Sequence, residues 1–218
     1  LETGADVTVG CVSVPVAAAD QLGVMDCDRE GRIRSFVEKP ERPPTAPDDP
    51  HRALASMGIY VFSRAFLSDL LEDDVADPES SHDFGRDLVP RIVRDHAAWA
   101  YRFVDASGAE DYWRDVGTVD AFWAANLELT HVTPPLNLYD RDWPIWTYQE
   151  QLPPAKFVFD DPDRRGCAVD SLVSPGCVVS GAAVRRALLF QSVHVEDRST
   201  IRDSVILPRV RIGAGSRI

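Results

Sequence analysis

Lys39 stands directly before Pro40, where the β-rich run Ile33-Arg34-Ser35-Phe36-Val37 ends. A long ammonium at such a strand end projects from the sheet edge, either as a solvated surface charge or as a ligand for a phosphate. Asp115 follows Trp113 and Arg114 in a segment that leads straight to the helix-start residue Thr118. A carboxylate there is a hard oxygen donor suited to Mg²⁺, or else a helix cap or salt-bridge partner. One carboxylate does not complete a magnesium site. Ser81-His82-Asp83 offers a His-Asp pair of the kind that ligates metals, yet no other histidine lies at a compatible spacing. Serine and aspartate before an apolar run are better read as a helix N-terminus. The four cysteines, Cys11, Cys27, Cys167 and Cys177, are scattered and form no C-x-x-C pair. Neither zinc nor a disulfide framework is indicated, and free, mostly packed thiols are expected.

The elements that must hold these groups are legible in part. Val7–Val14 is rich in β-branched residues in alternation and reads as a half-buried strand. Gly23–Cys27 and Ile33–Val37 read as a hairpin about Asp28-Arg29-Glu30-Gly31. Pro40 to Pro50 holds five prolines and must be a surface loop. The apolar run Ala55–Phe62 reads as a strand covered on both faces, with a helix to follow over Ala65–Leu71. A helix is expected after Ser81-His82-Asp83. Another is expected after Thr118, its aromatic stripe of Phe122 and Trp123 laid against the sheet. Trp113, Trp123, Trp143 and Trp146 read as packing residues, Trp113 also as a lining for a site at Asp115.

From about Pro134 to Asp170 the texture is proline, aromatic and charge without a period, as in a connector. Beyond it, aliphatic residues open units of six at Val173, Val179, Val195, Ile201 and Ile212, each with a small or β-branched residue four places on. That pattern fills the interior of a triangular parallel β-helix. Its register breaks between Val179 and Leu189 and between Ile201 and Ile206. The expected domains are therefore residues 1–133, a connector at 134–170 and a β-helix at 171–218.

The formal net charge of −12 repels nucleic acid and anionic membrane, so neither is an expected partner, and a phosphate ligand must be held by a few local cations. No apolar run approaches the roughly 20 residues of a membrane span, and Leu1–Asp6 lacks the basic-then-apolar order of a signal peptide. A cytoplasmic location is the expectation.

Phe36-Val37-Glu38-Lys39-Pro40, Ser56-Met57-Gly58-Ile59-Tyr60-Val61-Phe62, Ser80-Ser81-His82-Asp83-Phe84-Gly85, Tyr112-Trp113-Arg114-Asp115-Val116-Gly117-Thr118 and Pro153-Pro154-Ala155-Lys156-Phe157-Val158 occur in that order. Together they resemble the bacterial ADP-glucose pyrophosphorylase (glucose-1-phosphate adenylyltransferase) family. The fourth segment, with Tyr139-Asp140-Arg141-Asp142-Trp143-Pro144-Ile145, is the most specific. The resemblance implies an α/β fold: part of a Rossmann-like, GT-A-like nucleotidyltransferase domain followed by the start of a left-handed parallel β-helix. It also implies a reaction of ATP with glucose 1-phosphate in glycogen or α-glucan synthesis, dependent on Mg²⁺. Residues 1–50 contain no Gly-rich phosphate loop, the element that holds ATP in the family. The chain thus looks truncated at both ends, with the ATP site largely missing and turnover by the chain alone not expected.

Carried over residue by residue, the resemblance implies that Lys39 contacts the sugar phosphate and that Glu38 accepts hydrogen bonds from glucose hydroxyls. Ser56 and the backbone of Gly23 would complete the sugar pocket, Asp83 would help shape it, Trp113 would line the site, and Asp115 would ligate Mg²⁺. Lys39 and Asp115 would be the catalytic pair. Read from residue type alone, Glu38 is equally an edge-strand charge, Ser56 a strand residue and Gly23 a turn. Two other functions remain open: a hexapeptide-repeat acyltransferase using His194 as base, and a non-catalytic regulatory or assembly module. In the family the β-helix helps to form homotetramers and to bind metabolite effectors.

Overall fold

A computed structural model of the chain describes residues 4–104, 112–142, 144–146 and 148–218. Trp143 and the start of Leu1–Asp6 lie outside the described residues. The chain divides into two compact units, Leu1–Trp113 and Arg114–Ile218.

The first unit is built on β1 (Val7–Pro15), β2 (Gly23–Cys27), β3 (Ile33–Glu38), β4 (Arg52–Phe62), helix α1 (Arg64–Val75), a π-turn (Phe84–Leu88), helix α2 (Val89–Asp95) and β5 (Ala98–Arg102). The sheet order is β3-β2-β4-β1-β5, antiparallel throughout except where β1 meets β5 in parallel. Alternation in β1 buries Val7, Val9 and Cys11 completely. These join Met25, Phe36 and Leu54 from the neighbouring strands and Leu70, Leu88, Val89 and Ile92 from the helical segments in one core. The hairpin of β2 and β3 is formed as its turn residues require.

β4 departs from expectation. It was read as covered on both faces, yet Ile59 and Val61 are 54% and 53% exposed. The reason is partly a bulge: Gly10 pairs with Ile59 and Cys11 with Ser56, so Met57 and Gly58 are extra residues on β4. Gly58 takes φ +70°, which a side chain would resist.

The second unit opens with helix α3 (Val119–Glu128), started by Thr118, whose hydroxyl accepts the Ala121 N–H at 3.1 Å. Trp123 donates its indole N–H to the Asp203 carbonyl at 2.7 Å, and the compact division falls before α3, which lies within Arg114–Ile218.

The coil strands are β6 (Lys156–Val158), β7 (Asp160–Asp161), β8 (Arg164–Arg165), β9 (Cys167–Val169), β10 (Leu172–Val173), β11 (Val178–Ser180), β12 (Ala183–Arg185), β13 (Leu188–Leu189), β14 (His194–Val195), β15 (Thr200–Arg202), β16 (Val205–Ile206) and β17 (Arg211–Ile212). All but β7 and β8 lie in three parallel sheets: β10-β13-β16, β17-β14-β11-β6 and β15-β12-β9. Parallel stacking begins at Lys156, inside the expected connector. The signal was hidden because the charged hairpin of β7 and β8 interrupts the coil directly after β6.

The breaks in the six-residue period also resolve. Three stacked columns run Phe157, Val179, Val195, Ile212; Ala168, Val184, Ile201; and Val173, Leu189, Ile206. Val184 and Leu189 are therefore interior residues, each 1% exposed, in units of five rather than six. Left-handed residues turn the corners in units of five (Gly181, Arg186 and Asp203, φ 61°, 47° and 50°) and of six (Ser192, Arg198 and Arg209, φ 60°, 56° and 62°) alike.

Candidate functional site

In the first unit the predicted residues converge where β2 begins and β3 ends. Gly23 pairs with Glu38 across the hairpin, and the Glu38 side chain folds over it. A β-carbon at position 23 would lie 2.8 Å from Glu38 Oε2 and 2.5 Å from Phe36 Cζ. From the other side, a β-carbon at Gly85 would lie 2.8 Å from the same Oε2 and 3.4 Å from Asp83 Oδ1. Two bare backbones thus leave room for one half-buried carboxylate.

The π-turn and the loop before it bring Asp83 and Gly85 to this place. Asp83 Oδ1 accepts the Arg86 N–H at 2.8 Å, the N-terminal capping expected of Ser81-His82-Asp83. Asp87 Oδ2 holds the loop from within, accepting the N–H groups of Ser81 and Asp83 at 3.1 Å each, and the Ser81 hydroxyl. The buried Asp74 of α1 accepts the Ser80 hydroxyl at 2.6 Å and faces His82 Nδ1 at 2.8 Å. The Ser80 hydrogen bond, reinforced by His82, holds the Asp74 carboxyl below the usual carboxylate range. His82 is spent on this loop and takes φ +60°.

β4 supplies the remaining wall. Ser56 Oγ accepts the N–H of Gly58 at 3.2 Å within the bulge and stands 3.5 Å from the Tyr60 hydroxyl. Burial pushes the Tyr60 phenol up, and the nearby charges of Glu38 and Asp83 push the same way. Its ring stacks on Phe84 with centroids 5.6 Å apart. Tyr60 and Gly85 are members of the site that the residue-by-residue reading passed over. The bulge that aims Tyr60 had a signal, since an isolated Gly58 in an apolar strand marks a bulge.

Lys39 follows Glu38, is exposed, and takes φ +48° with its N–H on the Leu22 carbonyl at 3.0 Å. Its ammonium forms no ion pair among the described residues. Lys39 thus follows in sequence a carboxylate with room to accept hydrogen bonds, and a cation and an acceptor are the pair of functions a phosphorylated polyol demands.

Asp115 belongs to the second unit. It is exposed, in a stretch without regular structure, and its carboxylate oxygens lie 3.3 and 3.4 Å from where a β-carbon of Gly117 would be. Beside it, Arg114 pairs with Glu128 at 3.0 Å. Trp113, half-buried, ends the first unit. Among the described residues no three His, Cys, Asp or Glu side chains gather as a metal cage. Asp115 alone can give Mg²⁺ one oxygen, which suits an ion that keeps water and phosphate oxygens as its other ligands. No helix of the described residues is long and apolar enough to cross a membrane.

The family model described as "Nucleotidyl transferase" matches residues 1–132, more than half of the chain. The chain belongs to the nucleotidyl transferase family. In keeping with the parallel coil, residues 153–218 match the model described as "GlmU-like, C-terminal hexapeptide". Relatives within this family include the glucose-1-phosphate adenylyltransferase of Methylococcus capsulatus, 58% identical over 219 residues, 100% of this chain and 52% of the relative. Glucose-1-phosphate adenylyltransferase 2 of Alkalilimnicola ehrlichii is 60% identical over 219 residues, with the same coverage of 100% and 52%. The glucose-1-phosphate adenylyltransferase of Dechloromonas aromatica is 57% identical over 213 residues, 96% of this chain and 48% of the relative. The chain spans about half the length of the curated relatives it matches. A repeat acyltransferase built around His194 leaves the nucleotidyl transferase residues 1–132 without a role.

Proposed function

We propose that the chain carries the sugar-phosphate site of a glucose-1-phosphate adenylyltransferase, which converts ATP and glucose 1-phosphate to ADP-glucose and pyrophosphate. The observation that carries this is the Glu38 carboxylate seated between the bare backbones of Gly23 and Gly85, with the exposed Lys39 next to it in sequence and in no ion pair among the described residues. The names of the relatives, at 58% and 60% identity, support the choice of sugar phosphate.

In this reading Glu38 accepts hydrogen bonds from the glucose hydroxyls, and Ser56, Asp83 and the Gly23 backbone close the pocket. Lys39 holds the sugar phosphate against its own negative charge. A phosphate oxygen then attacks the α-phosphorus of ATP; the new P–O bond forms as the bond to the β-phosphate bridge breaks and pyrophosphate leaves. Asp115 gives one oxygen ligand to Mg²⁺, which when bound neutralises phosphate charge. Trp113 lines the site.

The same reading takes residues 1–133 as catalytic, 134–170 as a connector whose stacking on the coil begins at Lys156, and 171–218 as a coil of left-handed sense closing as a triangular β-helix. The intact protein would be a cytoplasmic homotetramer in glycogen or α-glucan synthesis. Its cytoplasmic setting is supported by four free thiols, three of them buried. Given no Gly-rich loop in residues 1–50, the chain supplied with ATP, glucose 1-phosphate and Mg²⁺ should release no pyrophosphate.

The test is binding by the chain itself, followed by amide NMR. Glucose 1-phosphate should shift the signals of Gly23, Lys39 and Gly85 at concentrations where glucose 6-phosphate and ribose 5-phosphate do not. Equal responses to all three, or shifts confined to other residues, would overturn the assignment.

A further inference from the structure

The segment around Asp115 has no secondary structure of its own, and two ties join it to α3. Arg114, one residue before Asp115, is paired with Glu128 at the far end of that helix, with Nε to Oε2 at 3.3 Å and Nη2 to Oε1 at 3.0 Å. Thr118, three residues after it, caps the helix by accepting the Ala121 N–H, and its carbonyl accepts the Phe122 N–H at 2.9 Å. Asp115 is strung between these ties.

α3 in turn is tied to the coil. Trp123 gives its indole N–H to the carbonyl of Asp203 at 2.7 Å. Asp203 is a corner residue between β15 and β16 with φ +50°, and its own N–H is bound to the Arg185 carbonyl of the previous rung at 3.3 Å. The corner is thus fixed from below before it accepts the indole. Asp170 and Arg186 occupy the same corner in the earlier rungs, with φ 48° and 47°. The indole takes the corner of Asp203, so the helix is docked at one level of a repeating surface. Trp123 is itself 41% exposed, and the bond therefore does more to set orientation than to bury area.

We infer that Trp123 is a positioning residue, through which the Asp203 corner of the parallel coil fixes the orientation of α3 and with it the Asp115 loop. The inference rests on the reading of Asp115 as a metal ligand for its significance to the reaction, though not for its geometry. The coil is then part of the mounting of the catalytic loop, in addition to whatever else it does.

Amide hydrogen exchange on the 218-residue chain tests this without any substrate or metal. The reporters are the Ala121 and Phe122 amides, which close the cap, and the Ala183 and His194 amides, which bind carbonyls of the next rung. Trp123→Phe should speed exchange at Ala121 and Phe122 by about tenfold while Ala183 and His194 keep their rates within about twofold. Asp203→Asn removes the charge paired with Arg186 but keeps the carbonyl, and should leave Ala121 and Phe122 unchanged. Unchanged exchange at Ala121 and Phe122 in Trp123→Phe, or the same acceleration in Asp203→Asn, would overturn the inference. So would an equal acceleration of all four amides, which would make Trp123 a general stabiliser. Because no arm reads metal affinity or turnover, failure here leaves the Asp115 assignment standing, and failure of that assignment leaves this result standing.

Discussion

Glu38 Oε2 occupies the space that a side chain at Gly23 would claim, 2.8 Å from where its β-carbon would be. The two residues face each other across the β2–β3 hairpin, so the strand pairing itself sets the position of the carboxylate. Replacing Gly23 with Ala must push aside both Glu38 Oε2 and the Phe36 ring, whose Cζ would lie 2.5 Å away. Gly85→Ala must displace the Glu38 carboxylate alone, 2.8 Å from its β-carbon. Each variant should keep its far-ultraviolet circular dichroism and bind glucose 1-phosphate about tenfold or more weakly by calorimetry, about 1.4 kcal/mol. Unaltered affinity in both would remove Glu38 from the sugar site.

Lys39 carries the charge complement. Lys39→Ala deletes a charge-assisted contact of about 1.5–3 kcal/mol, so glucose 1-phosphate affinity should fall by about ten- to a hundredfold. Binding of uncharged methyl glucoside should not change. A parallel loss for both ligands would mean that Lys39 supports the pocket and does not meet the phosphate.

The loop that presents Asp83 depends on Asp74, whose carboxyl is held below its ordinary value by the Ser80 hydroxyl and His82. A depressed folded-state value contributes stability above the unfolded value, near 3.9, and that contribution is lost as pH falls through the folded value. Urea unfolding should therefore show a loss of stability below about pH 4 that is smaller in Ser80→Ala. An identical acid slope in the two proteins would assign the loss to other carboxylates.

Burial pushes the Cys11 thiol up to about 11 and the Cys27 thiol up to about 12, so neither forms an appreciable thiolate near neutrality. Cys177 is also buried, and only Cys167 is half-buried. With a disulfide reagent at pH 8 the native chain should show one fast thiol, lost in Cys167→Ser. Several fast thiols would show that the first core opens readily.

The five-residue units can be tested in the coil. Leu189→Ala removes an interior side chain that is 1% exposed and should cost about 2–5 kcal/mol in chemical denaturation. Leu207, 54% exposed one residue after β16, should tolerate Ala within about 0.5 kcal/mol. Comparable losses would mean that the coil register is shifted.

What could be read before the fold was known follows a physical divide. Strand alternation, the hairpin turn, and the caps at Asp83 and Thr118 are local effects, written within a few residues, and they appear where the residues place them. Gly23 and Glu38 pair one step away from a simple count about the turn, because the hairpin register shifts between Asp26 and Cys27. The role of Gly85 was hidden because its partner lies on β3, far along the chain, and a glycine needed for close approach looks like any other. Val184 and Leu189 are missed by a strict count of six because they open units only five residues long. The docking of Trp123 on Asp203 is a long-range contact with no periodic trace.

The π-turn Phe84–Leu88 has a consequence for how this site can vary. Its amides reach one residue further back than in an α-helix, with the Leu88 N–H on the Asp83 carbonyl at 3.2 Å. Such a turn holds one residue more than the α-helical turn it replaces. Each helical residue advances the chain by about 100°, so removing one here would regularise the helix while turning everything before it by that angle relative to Leu88, Val89 and Ile92, which stay in the core. The helix would gain and Glu38 would lose both Asp83 and Gly85. The extra residue works as an angular offset between anchor and site, so a change of length in this segment should weaken glucose 1-phosphate binding and break the ties that Asp74 and Asp87 make to the loop.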